Sequence, residues 1–298
     1  MSEYITPSEL RDFYENKTQS ILRRYGPGPR VHYHTGLLDD EYAENANPNQ
    51  LRELLVRSQE NLLRYAAKIW QIDSLAGREI LDVGCGLGGG SLFFAQEFAA
   101  RVTALTIIPS HAELVRQFAA QAGVSELITP MIADATEVPG EHRFDAAIAI
   151  DSSSSFPRVP WFSRLAALLR PRRHVFIADC FLVDEKYREP FNSHWCAQIG
   201  TLNEYLDAAH AAGFRAETIE DLSYKAVSFW SLSLSLMRAE ANSCPPDASS
   251  NARSEASRRV HALVRDGLAN GGLRYLLLSI IDDPTCSEGA IALPQKRT

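Results

Sequence analysis

The sequence is poor in the features that mark several whole classes of protein. Its 298 residues include only five cysteines, Cys85, Cys180, Cys196, Cys244 and Cys286. They form no CxxC pair, and an odd, scattered set suits neither a disulfide scaffold nor a zinc site. A reducing compartment is expected. Basic runs are equally scarce: the formal charge is −7, and the one concentration of arginine is the short "LRPRRH" (169–174). Nucleic acid is therefore not an expected partner, because phosphate neutralisation needs a basic face. No stretch approaches the length of a membrane span. The first twenty residues are polar and acidic, without the apolar segment of a secretory signal or the arginine-rich face of a presequence. These absences lead to the expectation of a cytoplasmic protein that acts on a small molecule.

What is present is enough apolar content, 45%, to build a substantial core in one large α/β domain. Thr6, Pro7 and Glu9 carry helix-start signals ahead of Phe13, Ile21 and Leu22, and "YGPGPR" (25–30) breaks that helix. A second helix is predicted over 51–72, where Leu51, Leu54, Leu55, Leu62, Leu63, Ala66 and Ile69 share a face. The segment 1–75 then reads as an amino-terminal helical lid, and 76–298 as the main domain. Within the latter, strands are predicted at 79–84, 101–106, 127–134, 144–151, 174–181, 214–222 and 273–282, with helices between them. That alternation, which a doubly wound parallel sheet requires, implies an α/β, Rossmann-like, doubly wound sheet of seven strands. The Ser-, Asn- and Pro-rich stretch 241–257 reads as a mobile surface loop.

"EILDVGCGLGGGSLFFAQ" (79–96) is the main chemical signal. Gly84, Gly86 and Gly89 match GxGxxG between a strand and a helix, where backbone N–H groups face a ligand. No lysine follows, as a triphosphate loop would need. The next strand ends in Thr106, where a dinucleotide site would place an acid for the ribose. Asp82, two residues before the first of these glycines, can instead complement a cationic ligand, although a strand-end acid also serves turns. In this order, Glu79-Ile-Leu-Asp82-Val-Gly84-Cys-Gly86 resembles the S-adenosylmethionine-binding signature of class I methyltransferases. That resemblance implies cofactor contacts from Asp82, Gly84, Gly86 and Thr106. It also implies one from Asp134 to the adenine amino group, with the Ala135 N–H beside it; a helix cap or turn is the alternative role of Asp134.

Over most of its length the chain further resembles the geranyl diphosphate 2-C-methyltransferase group. "VHYHTG" (31–36), "RSQENLL" (57–63), "TALTIIPSH" (103–111), "YREPFNSHWCAQIGTLNEYLDAA" (187–209), "TIEDLSYKAVSFWSL" (218–232) and "GLRYLLLSI" (272–280) follow that group's segments in order. The resemblance implies methylation of an alkene carbon of a prenyl diphosphate or related terpenoid, through a carbocation quenched by a carboxylate. Asp151, in "AIDSSSSF" (149–156), is the implied base, where the group carries glutamate. Gln59 is placed near the cofactor, and His32, His34, Asn192, His194, Trp195 and Trp230 at the substrate, with Phe181, Phe229 and Tyr33 as further wall candidates. Magnesium would accompany a diphosphate, though no metal ligand is identified. Homo-oligomer formation is compatible with this reading. Three departures stand out: Asp151 is a methylene shorter than glutamate, His111 stands where glutamine is usual, and "SFWSLS" (228–233) has no arginine for a diphosphate. An O- or N-methyltransferase of another small molecule, and a methyltransferase-fold cyclase or non-catalytic cofactor-binding protein, remain the alternatives.

Overall fold

Thr6 begins the first helix, α1 (Pro7–Tyr25), with a reciprocal capping box: its hydroxyl accepts from the Glu9 N–H while Glu9 reaches back to the Thr6 N–H. Asn47 and Gln50 repeat the device at α2 (Pro48–Ile69). The computed structural model describes residues 5–39, 46–243 and 248–283. Leu51, Leu55, Leu62 and Leu63 of α2 are fully buried, each contributing about 1.5–3 kcal/mol by leaving water. This helix is thus built into the core, whereas α1 lies above it and roofs a cavity.

Seven strands form one sheet: β1 (Glu79–Val83), β2 (Arg101–Thr106), β3 (Ile128–Ile132), β4 (Phe144–Ile150), β5 (Leu169–Leu182), β6 (Phe214–Asp221) and β7 (Leu273–Asp282). The order across the sheet is β3-β2-β1-β4-β5-β7-β6. The first five run parallel, but β7 enters between β5 and β6 antiparallel to both. The expected doubly wound sheet of seven strands is present, with β7 as its antiparallel member. A strand buried on both faces, as most of β7 is, reads the same in either direction, so its apolar run carries no sign of polarity.

Helices cover both faces: α3 (Gly89–Phe98), α4 (Pro109–Gln121), α5 (Arg158–Leu168), α6 (Arg188–Trp195), α7 (Leu202–Ala211), α8 (Ser223–Ser243) and α9 (Ala248–Asn270). One core layer packs α2, α3, α8 and α9 against the sheet through Leu62, Phe93, Phe94, Ala226, Val264 and Tyr275. The opposite layer is centred on Trp161, Phe162, Tyr205 and Phe214. Among the described residues, no helix is long and apolar enough to cross a membrane.

Two local expectations change. The stretch 241–257 is helical at 241–243, the end of α8, and from Ala248 onward in α9; residues 244–247 lie outside those described, as do Cys244 and Cys286. The "LRPRRH" segment belongs to β5, with Arg170–Arg173 looped out opposite Asp145 and Arg172 at φ +68°. Arg170 bonds Asp145, while Arg173 pairs with Asp282 and lies over the Phe214 ring.

Candidate active site

β1 delivers Asp82 to the carboxyl edge of the sheet, and the chain then turns through Gly84 (φ +74°) and Gly86 (φ +53°) into α3. Both glycines occupy the left-handed region that side chains disfavour. At Gly84 a Cβ would also stand 2.7 Å from Ser152 Cβ, whereas at Gly86 nothing lies within 4 Å. The backbone at Gly86 therefore borders open space. That space is a cavity of about 630 Å³, lined by Asp82, Gly86, Thr106, Asp134, Ala135 and Asp151 among others, a size suited to a small-molecule ligand.

Asp82 is 5% exposed and accepts from Ser91 Oγ at 2.5 Å. Burial pushes its carboxyl up to about 6, partly opposed by that hydroxyl. A cationic ligand would relieve this cost, and among the described residues Asp82 has no ion-pair partner. Thr106 Oγ1 accepts from the Ile108 N–H at 3.1 Å, and Asp134 Oδ1 accepts from Thr136 N and Thr136 Oγ1, closing a turn. His111, on the first turn of α4, is 2% exposed and meets Thr18 Oγ1 at 2.8 Å through Nε2. Thr18 Oγ1 already donates to the Tyr14 carbonyl, so it must accept from His111, and Nε2 carries the hydrogen. His111 Nδ1 is left as a buried acceptor with no partner. Burial holds the imidazole down at about 4, in its neutral form. Together, Asp82, His111 and the open backbone at Gly86 fit a ligand with a cationic end and a hydroxylated, phosphate-free body.

A second, smaller cavity of about 70 Å³ adjoins the first, with Tyr14, Tyr33, His34, Asp151 and Ser155 lining both. Its wall is aromatic: Tyr25, Trp195, Phe229 and Trp230 complete the cage with Tyr14 and Tyr33. Asp151 sits at the junction with φ +46°, a conformation rare for a residue other than glycine. Its N–H bonds the Ala178 carbonyl at 2.8 Å, Thr35 N–H donates to its Oδ2 at 2.6 Å, and its Oδ1 has no partner. Burial first, and then the like charge of Asp179, hold the Asp151 carboxyl well above the ordinary carboxylate range. Asp179 is itself raised by burial, against hydrogen bonds from Ser153 Oγ at 2.6 Å, the Cys180 N–H and the Ser154 N–H.

The family described as a methyltransferase domain matches residues 80–172, which span β1 to the start of β5 and include the glycine loop and Asp151. Residues 80–172 therefore carry a methyltransferase domain, set in a fold shared with solved methyltransferases. Among similar proteins, the chloroplastic tocopherol O-methyltransferase of Arabidopsis thaliana is 26% identical over 49% of this chain, a match that spans only 42% of the plant protein's own length. The geranyl diphosphate 2-C-methyltransferase of Streptomyces lasalocidi is 23% identical over 75% of this chain and 79% of its own. A solved geranyl diphosphate methyltransferase, bound to geranyl diphosphate and sinefungin, superposes with a TM-score of 0.77 at 17% identity, covering 93% of this chain and 98% of that one. The S-adenosylmethionine expected from the glycine loop agrees with this family.

The expected residues divide into those that meet at the cavities and those that do not. Asp82, Gly84, Gly86, Thr106, Asp134, Ala135, His32, His34 and Asp151 line the larger cavity; His34, Asp151, Trp195 and Trp230 line the smaller one, as do Tyr33 and Phe229. Gln59 does not reach either wall. It is fully buried, and its Nε2 donates to the His32 and His34 carbonyls, which holds the histidine turn in place. Asn192 likewise serves the backbone, accepting from the Ile199 N–H at 2.8 Å. His194 lies behind the cage, its ring against Trp195 and His261 and its carbonyl accepting from Lys17 Nζ. Phe181 packs on Tyr205 in the opposite core layer. Helical and turn segments of similar sequence can present any of their faces, and the packing turned these four away.

Asp179 and Tyr14 were not anticipated. A signal for Asp179 existed, since a lone carboxylate inside the apolar run "HVFIADCF" (174–181) must be buried with partners or serve a site. Tyr14 had none beyond its place in an amphipathic helix. Its hydroxyl donates to the Trp195 carbonyl at 3.2 Å and ties α1 to the cage.

Proposed function

We propose that the chain transfers the methyl group of S-adenosylmethionine to an alkene carbon of an isoprenoid-type acceptor, with Asp151 as the base. The observation that carries this reading is the position of Asp151, which lines both the cofactor-sized cavity and the aromatic cage and whose buried Oδ1 has no hydrogen-bond partner. The cofactor supplies a methyl group on a cationic sulfur, which is electrophilic enough for a carbon nucleophile. The cage holds the alkene in line and excludes water, so that the new carbon–carbon bond forms as the sulfur–methyl bond breaks. The tertiary carbocation left on the acceptor faces Tyr14, Tyr33, Trp195 and Trp230, whose ring faces stabilise cations. Asp151 then takes a proton from a neighbouring carbon, and the freed electron pair restores a double bond. Product analysis with methyl-labelled cofactor and a panel of isoprenoids tests the reading: a new carbon-bound methyl supports it, and its absence from every product sinks it.

Methyl transfer to oxygen is the second reading. Trp230 Nε1 is a buried donor and Asp151 Oδ1 a buried acceptor, each without a partner, on two residues that line the cage. A polar acceptor group that moved these side chains slightly would satisfy one of them. The same labelled products distinguish an O-methyl from a C-methyl group by carbon chemical shift.

A further inference from the structure

We infer that the acceptor enters the aromatic cage without a diphosphate or any other anionic group, as a neutral molecule. The inference rests on the cage being the acceptor site, and it holds for transfer to carbon or to oxygen.

Two observations carry it. The cage wall contains two carboxylates, Asp151 and Asp179, on adjacent strands. Among the described residues it contains no lysine or arginine, and in the larger cavity Arg11 is the one such side chain, its Nε donating to the Ile107 carbonyl. Three cations on α1 and α2 are engaged elsewhere. Lys17 Nζ donates to the His194 carbonyl at 2.9 Å and lies over the Phe13 ring. Arg24 and Arg52 both close on Glu240, at 2.9 and 3.0 Å.

A diphosphate in this space would lose its water without gaining a cationic partner, and it would face two carboxylates at close range. A magnesium ion would also lack a built site: among the described residues, no group of three or more His, Cys, Asp or Glu side chains is placed to hold a metal. At about 70 Å³, the cage admits one end of the acceptor, and the remainder extends into the larger cavity that shares its wall.

Calorimetric titration of the full chain loaded with S-adenosylhomocysteine tests this directly. The probes are geraniol, geranyl diphosphate with and without magnesium, and geranylamine. Geraniol is expected to bind at least tenfold more tightly than geranyl diphosphate under every magnesium condition, and more tightly than the amine. Trp230→Phe, which keeps a packed ring, should weaken geraniol severalfold while leaving S-adenosylhomocysteine binding near that of the wild type, and Trp230→Ala should weaken geraniol at least tenfold at the cost of a lower melting temperature. Tighter binding of the diphosphate, with or without magnesium, overturns the inference, as does a preference for the amine. Absence of binding by all three, with the cofactor product still bound, overturns the cage as an isoprenoid site. No catalysis enters these titrations, so failed methyl transfer in the product assay and a wrong order of affinities here are separate outcomes.

Discussion

Asp151 and Asp179 leave adjacent parallel strands one residue beyond the paired Ile150 and Ala178, so two carboxylates 28 positions apart in sequence face one small cavity. Each raises the cost of ionising the other. The hydrogen bonds that satisfy Asp179, from Ser153, Ser154 and Cys180, leave Asp151 as the member with an open oxygen.

As a base, Asp151 acts only when ionised. Because its carboxyl is raised, methyl transfer should grow with pH along an acidic limb lying above the ordinary carboxylate range. Asp179→Asn removes the like charge, so the limb should move to lower pH. A kcat–pH profile that stays in place would show that Asp179 does not set the ionisation of Asp151.

Asp151→Asn keeps a residue type that tolerates the left-handed backbone at φ +46°. Turnover should fall by about 10²-fold or more, with the dissociation constant for S-adenosylmethionine within about twofold of wild type. Unchanged turnover discards the base.

Asp82→Asn should act in opposite directions on the cofactor and on the apoprotein. A raised carboxyl means the folded state holds its proton more tightly than the unfolded chain, so stability falls as pH rises from the ordinary carboxylate range to about 6. Removing that cost should stabilise the apoprotein above pH 6, by about 1–3 kcal/mol. Cofactor affinity should drop, since the cation loses its counter-charge. Melting curves at two pH values and one cofactor titration check both halves.

His111→Leu keeps the bulk and removes the unpartnered Nδ1. If that nitrogen accepts from a cofactor hydroxyl, affinity should weaken about tenfold, the worth of one buried hydrogen bond, with little change in kcat. Equal affinity in wild type and variant would assign His111 to the packing of α1 alone.

Gly89 and Gly90 give a matched pair of substitutions. A Cβ at Gly89 would stand 2.5 Å from the Val31 carbonyl oxygen and 2.7 Å from His32 Nδ1, whereas at Gly90 its nearest neighbour is Asp82 Oδ2 at 3.7 Å. Gly89→Ala should therefore destabilise the chain by about 1–3 kcal/mol, lowering the melting temperature by several degrees. Gly90→Ala should leave it nearly unchanged. Similar melting temperatures for the two would show that the histidine turn does not press on α3.

Local chemistry made much of this protein legible before its structure. The capping signals at Thr6, the apolar stripe of α2, the seven apolar runs and the acid-glycine order of 79–86 depend on neighbours a few residues away, and each was found where expected. The glycine loop beside the larger cavity follows, because β1, its loop and α3 are contiguous in the chain. Tertiary packing alone decided the direction of β7, the inward position of Asp179, and the diversion of Gln59, Asn192 and His194 from the cavities to backbone carbonyls, N–H groups and neighbouring rings. It also decided the character of the aromatic cage. That cage draws Tyr14, Tyr25, Asp151, Asp179, Trp195 and Trp230 from five separate parts of the chain, and no periodicity can encode a surface whose members become neighbours only when the sheet and its helices close around them.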